Sequence, residues 1–143
     1  MKGIIIRNVR KNILKRKEVL LMEKNNLRIV LKRVGKNPEV INIENTLKAK
    51  QRLVGGLIEI FPVTDDILLI CNEEGKLDNL LPNLIFEYDY IAGDCFFVGD
   101  DYKKGDFKSL TNQQIEEVKT ICKNRDFINF FDLEDLKGKE LEQ

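Results

Sequence analysis

The chain of 143 residues contains no histidine and no tryptophan. Histidine is the commonest general base and proton shuttle of enzymes, and its imidazole is a frequent zinc ligand. Carboxylates and lysine can still do acid–base work or hold magnesium, so the absence weighs against an enzyme without excluding one. We expect a protein that is not an enzyme, with no catalytic residue, no metal and no cofactor.

Cysteine is also scarce, with three residues far apart in the chain: Cys71, Cys95 and Cys122. An odd number at these distances suits neither a disulfide framework nor the paired ligands of a zinc site. No apolar segment reaches the roughly 18 residues that a membrane span needs, and the apolar run at the start is too short for a secretory signal. We therefore expect a cytoplasmic protein without a membrane partner.

The formal net charge is zero, which argues against a general nucleic-acid or membrane-surface binder. The charge is nevertheless uneven, because residues 1–53 carry 15 Lys and Arg against 4 Asp and Glu, whereas residues 54–143 carry 9 against 20. If the two halves occupy different faces, opposite charges could join two copies into a homo-oligomer. If the halves interleave in one sheet, the charges pair within the molecule.

The pattern of apolar runs predicts a single α+β domain over residues 1–143, with an antiparallel-rich sheet of about five strands and two principal helices. The runs LIEIF (57–61) and ILLIC (67–71) are separated by PVTDD and predict an antiparallel pair. For residues 1–26, helix and strand remain alternatives.

Capping residues place the two helices. Asn45 or Thr46 can cap a first helix that ends at Val54. Thr111 and Gln114 have the spacing of a capping box, which predicts the start of a second helix.

Two glycine-containing stretches, VGG and NEEGKL, have two interpretations each. In the simpler one, Gly55 is the left-handed residue that ends the first helix, and Gly75 takes the left-handed position of a turn that closes a hairpin. In the functional one, the glycines bring backbone N–H groups close to an anion, with Arg52, Asn72 and Lys76 nearby. The spacing matches neither a P-loop nor a dinucleotide-binding fingerprint, so on spacing alone the phosphate signal is weak.

An enzyme would have to rely on four candidate carboxylates: Glu59, Glu73, Glu74 and Asp94. Glu59 alternates with isoleucines and fits the solvated face of a half-buried strand, while the other three fit turns. With no histidine and no metal-ligand cluster, the enzyme is the least favoured hypothesis.

The aromatic residues offer a possible partner surface. Tyr88 and Tyr90 are two residues apart and are predicted to share one face of a strand, either in the core or at an interface. Phe127, Phe130 and Phe131 begin the last stretch of the chain, where core and exposed positions are both open.

Six stretches of the sequence follow one another in a characteristic order: NTL (45–47), LVGGLIEI (53–60), CNEEGKL (71–77), LPN (81–83), IAGDCFFVG (91–99) and SLTNQQIE (109–116). In this order they resemble a small uncharacterised domain family of phages, plasmids and conjugative elements. The resemblance covers residues 27–123. Residues 1–26 lie outside it as an N-terminal segment, and residues 124–143 lie outside it as a Phe-rich and then acidic tail.

The resemblance implies an accessory protein of a phage or mobile genetic element that counteracts host defence, in the host-cell cytoplasm if a phage encodes it. The first hypothesis is a non-enzymatic binder that sequesters a small anionic, nucleotide-type signal at an interface between copies. Its predicted ligand-binding residues are Arg52, Gly55, Gly56, Asn72, Lys76 and Asn83.

The second hypothesis is a protein-binding inhibitor, for example an anti-CRISPR-like or effector-blocking protein. It would dock on a host defence protein through its acidic half and its aromatic residues. The predicted partner-binding residues are Tyr88, Tyr90, Phe130 and Phe131. Nucleic acid is not an expected partner under either hypothesis, since the chain is neutral overall.

Overall fold

A computed structural model describes residues 25–130 of the chain. Residues 1–24 of the N-terminal segment, for which helix and strand were alternatives, and the predicted partner-binding Phe131 lie outside the described residues. The described elements, in chain order, are β1 (Asn26–Lys32), β2 (Glu39–Glu44), α1 (Leu47–Val54), β3 (Ile58–Pro62), β4 (Ile67–Asn72), β5 (Pro82–Phe86), β6 (Asp89–Ala92), β7 (Cys95–Asp101), β8 (Asp106–Lys108), α2 (Asn112–Arg125) and a 3-10 helix (Phe127–Phe130).

The strands form a central antiparallel sheet in the order β2-β1-β7-β4-β3, with β8 paired to the end of β7. A separate two-stranded hairpin consists of β5 and β6. The prediction of an α+β fold with an antiparallel-rich sheet and two principal helices is confirmed. The predicted pairing of the LIEIF and ILLIC runs is also confirmed, because they form β3 and β4.

The central sheet has a helix on each face. Alternation along β1 sends Leu27, Ile29 and Leu31 to one face, where they pack in a buried cluster with Val54 at the end of α1. Val30 points to the opposite face, into a cluster that includes residues of α2 and of the β5–β6 hairpin. The β5–β6 hairpin therefore covers the same face of the sheet as α2.

The ends of α1 follow local capping chemistry. The Thr46 hydroxyl accepts a hydrogen bond from the Ala49 N–H at 3.1 Å. Gly55 has φ 77° and its N–H donates to the Gln51 carbonyl at 2.8 Å. The prediction that Gly55 is the left-handed residue ending this helix is confirmed.

The start of α2 is a capping box, as predicted. The Thr111 hydroxyl accepts from the Gln114 N–H at 3.1 Å, and the Gln114 side-chain oxygen accepts from the Thr111 N–H at 2.9 Å. Neither described helix, at 8 and 14 residues, has the length and apolarity needed to cross a membrane.

The prediction that NEEGKL closes a hairpin is wrong. β4 pairs with β3 and β7, and the chain leaves β4 through this turn to reach the separate β5–β6 hairpin. Gly75 is not among the residues with positive φ, so its left-handed assignment is also wrong. A Cβ on Gly75 would lie 2.7 Å from the Ala92 carbonyl oxygen, so glycine is needed because two backbone segments approach closely.

The prediction that Tyr88 and Tyr90 share one face of a strand is wrong. Tyr88 lies in the turn between β5 and β6 and is 92% exposed, whereas Tyr90 lies in β6 and is 39% exposed. Phe130 ends the 3-10 helix and is exposed.

The oppositely charged halves interleave in the described part of the chain. β1, from the basic half, pairs with β7, from the acidic half. Lys32 and Asp126 form an ion pair of 3.0 Å across the two halves. The alternative in which the halves occupy separate faces is therefore wrong for residues 25–130.

Candidate functional site

A cavity of about 410 Å³ opens between the β3–β4 pair and the β5–β6 hairpin, and we call it the hairpin cavity. Its wall combines aromatic rings, charged side chains and the tight turn after β4. The lining residues are Glu59, Phe61, Cys71, Asn72, Glu73, Gly75, Lys76, Leu77, Phe86, Asp89, Tyr90, Ile91 and Ala92.

One wall of the hairpin cavity comes from the period-two alternation of β3. Glu59 and Phe61 point toward the cavity, while Ile58 packs against the cluster on the α1 face. The Phe61 ring meets the Phe86 ring of β5 with centroids 5.4 Å apart at 45°. This edge strand therefore presents an aromatic surface directly to the cavity.

The floor of the cavity depends on the close approach of two backbone segments. The turn after β4 passes the end of β6 at Gly75 and Ala92, where a side chain at residue 75 would collide with the Ala92 carbonyl. The Asn72 side-chain oxygen accepts from the Glu74 N–H at 2.8 Å and fixes the start of this turn. The turn thereby holds Lys76 beside the hairpin.

Lys76 connects the turn to the hairpin by two contacts. Its ammonium forms a hydrogen-bonded ion pair with Asp89 and lies 4.7 Å from the centroid of the Tyr90 ring. Both side chains of the ion pair are substantially exposed, at 47% for Lys76 and 61% for Asp89. A ligand can therefore reach this lysine without unfolding any part of the site.

These contacts set the protonation of the site. The hydrogen bond from Lys76, followed by the Tyr90 backbone N–H, lowers the pKa of Asp89 below its ordinary value. The same hydrogen bond raises the pKa of Lys76. Burial, and then the nearby Glu59 carboxylate, raises the pKa of the Cys71 thiol to about 11. At neutral pH the cavity thus holds the Lys76 ammonium, the Asp89 carboxylate and the protonated Cys71 thiol.

A second cleft, of about 440 Å³, lies beside the hairpin cavity at the end of α1. Arg52, Gly55 and Asp94 line it, and Asn72 borders both cavities. The prediction that Arg52 and Lys76 flank one anion does not match this arrangement, because the two cations line different cavities.

The paired glycines use their N–H groups within the fold. The Gly55 and Gly56 N–H groups both donate to the Gln51 carbonyl, at 2.8 and 3.1 Å. Two donors predicted to hold an anion are therefore occupied by the end of α1. A Cβ on Gly56 would lie 2.9 Å from the Asn72 side-chain nitrogen, so this residue keeps room for the asparagine.

Asn72 and Asn83 are buried and hold the scaffold together. Asn72 donates to the Val54 carbonyl at 3.1 Å and so ties β4 to the end of α1. Asn83 is fully buried and donates to the carbonyls of Lys32 at 2.7 Å and Gly93 at 2.9 Å. Asn83 lines neither of the two cavities.

A fully buried lysine was not predicted from the sequence. The Lys32 ammonium reaches the Arg33 carbonyl at 2.9 Å, the Asn83 side-chain oxygen at 3.0 Å and Asp126 at 3.0 Å. The sequence signal for this burial is the alternation along β1, which places Lys32 on the same face as Val30, the face that α2 covers. Three oxygen partners match the three donors of an ammonium, so this network is closed to a ligand.

Chemically, the hairpin cavity is suited to binding. Within residues 25–130, no group of three or more Cys, Asp or Glu side chains is arranged to hold a metal ion. Of the four candidate carboxylates, Glu59 and Glu73 line the hairpin cavity. Glu74 is exposed on the turn, and Asp94 accepts a hydrogen bond from the Val34 N–H at 2.9 Å.

Two of the predicted partner-binding aromatic residues lie close together. Tyr88 and Tyr90 line a shallow groove of about 320 Å³ at the hairpin, together with Phe86 and Phe127. Phe130 does not line this groove. The groove is the part of the described surface that best fits the docking hypothesis.

A family model described as a domain of unknown function, DUF3846, matches residues 27–123. This range runs from β1 into the last turn of α2 and contains the linings of both cavities. Comparison with curated proteins and with solved structures gave no match.

Proposed function

Because the chain belongs to the DUF3846 family, a domain of unknown function, we propose its function from the geometry of the hairpin cavity. The chain is a non-enzymatic protein that binds and sequesters a small nucleotide-type ligand in that cavity. One observation carries the proposal: aromatic rings and an accessible lysine line the same space of about 410 Å³. Sites for small molecules commonly measure roughly 300–1,000 Å³ and combine apolar walls with a few polar groups.

The aromatic residues supply a surface for a nucleobase. Phe61, Phe86 and Tyr90 come from three different strands and converge on the cavity. Stacking of a base on an aromatic side chain contributes about 1–3 kcal/mol and tolerates any base identity. A planar heterocycle is therefore the ligand part that these walls favour.

The charges of the cavity limit the number of phosphates. Lys76 is accompanied by the carboxylates Glu59, Glu73 and Asp89 among the lining residues. Lys76 can exchange its exposed partner Asp89 for one phosphate, but further phosphates would face the carboxylates. The proposed ligand is thus a nucleoside or a nucleotide with a single phosphate group, such as a monophosphate or one unit of a cyclic signal, and not a polyphosphate.

The protonation of the polar groups in the cavity supports binding without turnover. Cys71 is the thiol that lines the cavity, and its raised pKa keeps it protonated and weakly nucleophilic. Lys76 is held protonated by Asp89, so it acts as a hydrogen-bond donor. In a phage or mobile element, the setting that the sequence resemblance implies, such binding would remove a nucleotide signal of host defence.

The experiment is calorimetric titration of the purified full chain with nucleosides, mononucleotides, cyclic nucleotides, ADP-ribose and nucleoside triphosphates. We expect heat of binding for at least one ligand with a single phosphate group and weaker binding of the triphosphates. Mass spectrometry of the ligand recovered after heating separates sequestration from catalysis. An intact ligand supports the proposal, and conversion to a product contradicts it.

Matched charge reversals locate the ligand. Lys76→Glu should abolish binding, whereas Arg52→Glu, in the second cleft, should leave the affinity within about twofold of the parent. Loss of binding in Arg52→Glu with normal binding in Lys76→Glu would move the site to the second cleft and contradict the proposal.

A protein-docking inhibitor is the second candidate function. Its supporting observation is the exposed Tyr88 at the tip of the hairpin, which lines the shallow groove together with Tyr90 and Phe86. Failure of every nucleotide to bind, combined with retention of a host protein that Tyr88→Asp loses, would favour this candidate over sequestration.

A further inference from the structure

The free edge of the central sheet at β3 is mostly apolar. Glu59 is the only charged residue among Ile58, Glu59, Ile60, Phe61 and Pro62. Ile60 is 48% exposed and Phe61 is 38% exposed, on opposite faces of the strand. Edge strands of monomeric proteins are commonly protected by charged side chains, by proline, by a bulge or by a covering segment, and β3 has one charged residue and one proline, at its last position. No described residue of 25–130 pairs with the outer side of β3.

Hydrogen bonds to β4 determine which backbone groups of β3 face outward. The Leu57 carbonyl accepts from the Glu73 N–H at 2.8 Å, and the Val63 N–H donates to the Ile67 carbonyl at 2.9 Å. Backbone groups of an antiparallel strand alternate between its two sides, so the odd-numbered residues face β4. The N–H and carbonyl groups of Ile58 and Ile60, and the carbonyl of Pro62, therefore point to the free edge.

We propose that β3 pairs with β3 of a second copy of this chain, antiparallel across a two-fold axis at Ile60. In this register Ile60 of each copy exchanges both backbone hydrogen bonds with Ile60 of the other. Each Ile58 N–H donates to the Pro62 carbonyl opposite. Pro62, which has no N–H, stands at the end of the pairing, the position where proline is tolerated in a sheet.

The side chains favour this register over its neighbours. Glu59 of one copy lies opposite Phe61 of the other, so no like charges meet. A shift by two residues in one direction would place Glu59 directly opposite Glu59, which is unfavourable. A shift in the other direction would leave Ile58 without a partner. The strand is thus self-complementary in one register, which is the requirement for a two-fold interface.

The dimer would change the hairpin cavity. Glu59 and Phe61 both point into that cavity, so the proposed register places Phe61 of the second copy beside Glu59 of the first on the cavity face. Each copy would then contribute an aromatic ring to the rim of the other cavity. This inference does not depend on whether the cavity takes a nucleotide.

The test combines sedimentation with cysteine cross-linking of the full chain. All three native cysteines are buried, so an introduced thiol can be followed alone. Ile60→Cys places two thiols opposite each other and should form an intermolecular disulfide in most chains under mild oxidation. Leu57→Cys is the matched control, because Leu57 is similarly exposed but lies about 20 Å from its own counterpart in this register.

Sedimentation of the parent chain should show a dimer that persists at high salt, since the contact is made by backbone hydrogen bonds and apolar side chains. Ile60→Lys should sediment as a folded monomer, whereas Val40→Lys on the opposite edge strand β2 should remain dimeric. A parent chain that stays monomeric at high concentration would overturn the proposal. Equal cross-linking of Ile60→Cys and Leu57→Cys would overturn the register.

Discussion

Two lysines of this chain are held in opposite ways, one in the core and one at the hairpin cavity. Lys32 is fully buried, and its ammonium meets Arg33, Asn83 and Asp126 oxygens at 2.9–3.0 Å. Lys76 is 47% exposed in its side chain and pairs with an even more exposed Asp89. An enclosed ion pair can only support the fold, whereas an exposed one can exchange a partner for a ligand.

Removal of the half-buried Asp126 carboxylate, the counter-ion of the buried Lys32, is the strongest test of this comparison. Asp126→Ala leaves the Lys32 ammonium without its counter-ion in the core and should lower the free energy of unfolding by about 3–5 kcal/mol. Asp89→Ala removes the exposed partner of Lys76 and should change the free energy of unfolding by less than about 1 kcal/mol. Urea denaturation of both variants measures this difference. Equal losses of unfolding free energy would show that the two ion pairs contribute equally to stability despite their different burial.

The second-largest loss of stability is expected in the turn that carries Lys76. Gly75→Val should lower the free energy of unfolding by about 1 kcal/mol or more, because its Cβ would lie 2.7 Å from the Ala92 carbonyl oxygen. Gly55 differs, since it has φ 77° and open space around its Cβ position.

Asparagine distinguishes the two reasons for glycine. Gly55→Asn should be tolerated, because asparagine adopts positive φ more readily than most residues, whereas Gly75→Asn should destabilise the fold. Thermal melts that show the reverse order would contradict the close approach at Gly75.

The buried thiols predict a loss of stability at alkaline pH. Burial raises the pKa of Cys71 to about 11 and of Cys122 to about 12, from an ordinary value of 9.0. Well below pH 9 both thiols are protonated in the folded and unfolded chains, and their contribution to stability is constant. Above pH 9 the unfolded chain loses these protons first, so stability should fall as the pH rises toward 12.

Melting temperatures measured from pH 8 to pH 11 test this dependence. A variant with Cys71→Ala and Cys122→Ala should show a shallower fall over the same range, whatever its stability at pH 8. An unchanged slope would contradict the assignment to these thiols.

The smallest effect on stability is expected at Lys76 itself. Lys76→Gln should change the free energy of unfolding by no more than about 0.5 kcal/mol, because the ion pair is exposed. Lys119→Gln is the matched control, since Lys119 is also half-exposed and pairs with Glu116 at 3.5 Å. A large loss from Lys76→Gln alone would show that this lysine has a structural role like that of Lys32.

Local features were predictable from the sequence because their determinants are neighbours in the chain. Thr111 and Gln114 form the capping box that their spacing predicts, and Gly55 ends α1 in the left-handed conformation. The turn at Gly75 was misassigned because its requirement for glycine comes from Ala92, which the turn meets only in the folded chain. Local rules describe φ preferences and capping well, but not contacts between distant segments.

The candidate site was predictable only in pieces. The sequence analysis assigned Lys76 to a ligand site and Tyr90 to a separate partner surface. In the fold, the Lys76 ammonium lies 4.7 Å from the centroid of the Tyr90 ring. Lys32 was not identified, because its partner Asn83 is 51 residues away. Which charged residues are buried depends on packing between elements, and a strand pattern alone does not specify it.

The most direct measurement of the central claim is calorimetric titration of two tyrosine variants with the nucleotide that the parent chain binds. Tyr90 lines the hairpin cavity, whereas Tyr102 is 69% exposed outside it, after β7. Tyr90→Ala should weaken binding about tenfold or more through loss of stacking, and Tyr102→Ala should match the parent. Equal affinities for Tyr90→Ala and the parent, or a loss confined to Tyr102→Ala, would contradict nucleotide binding in the hairpin cavity.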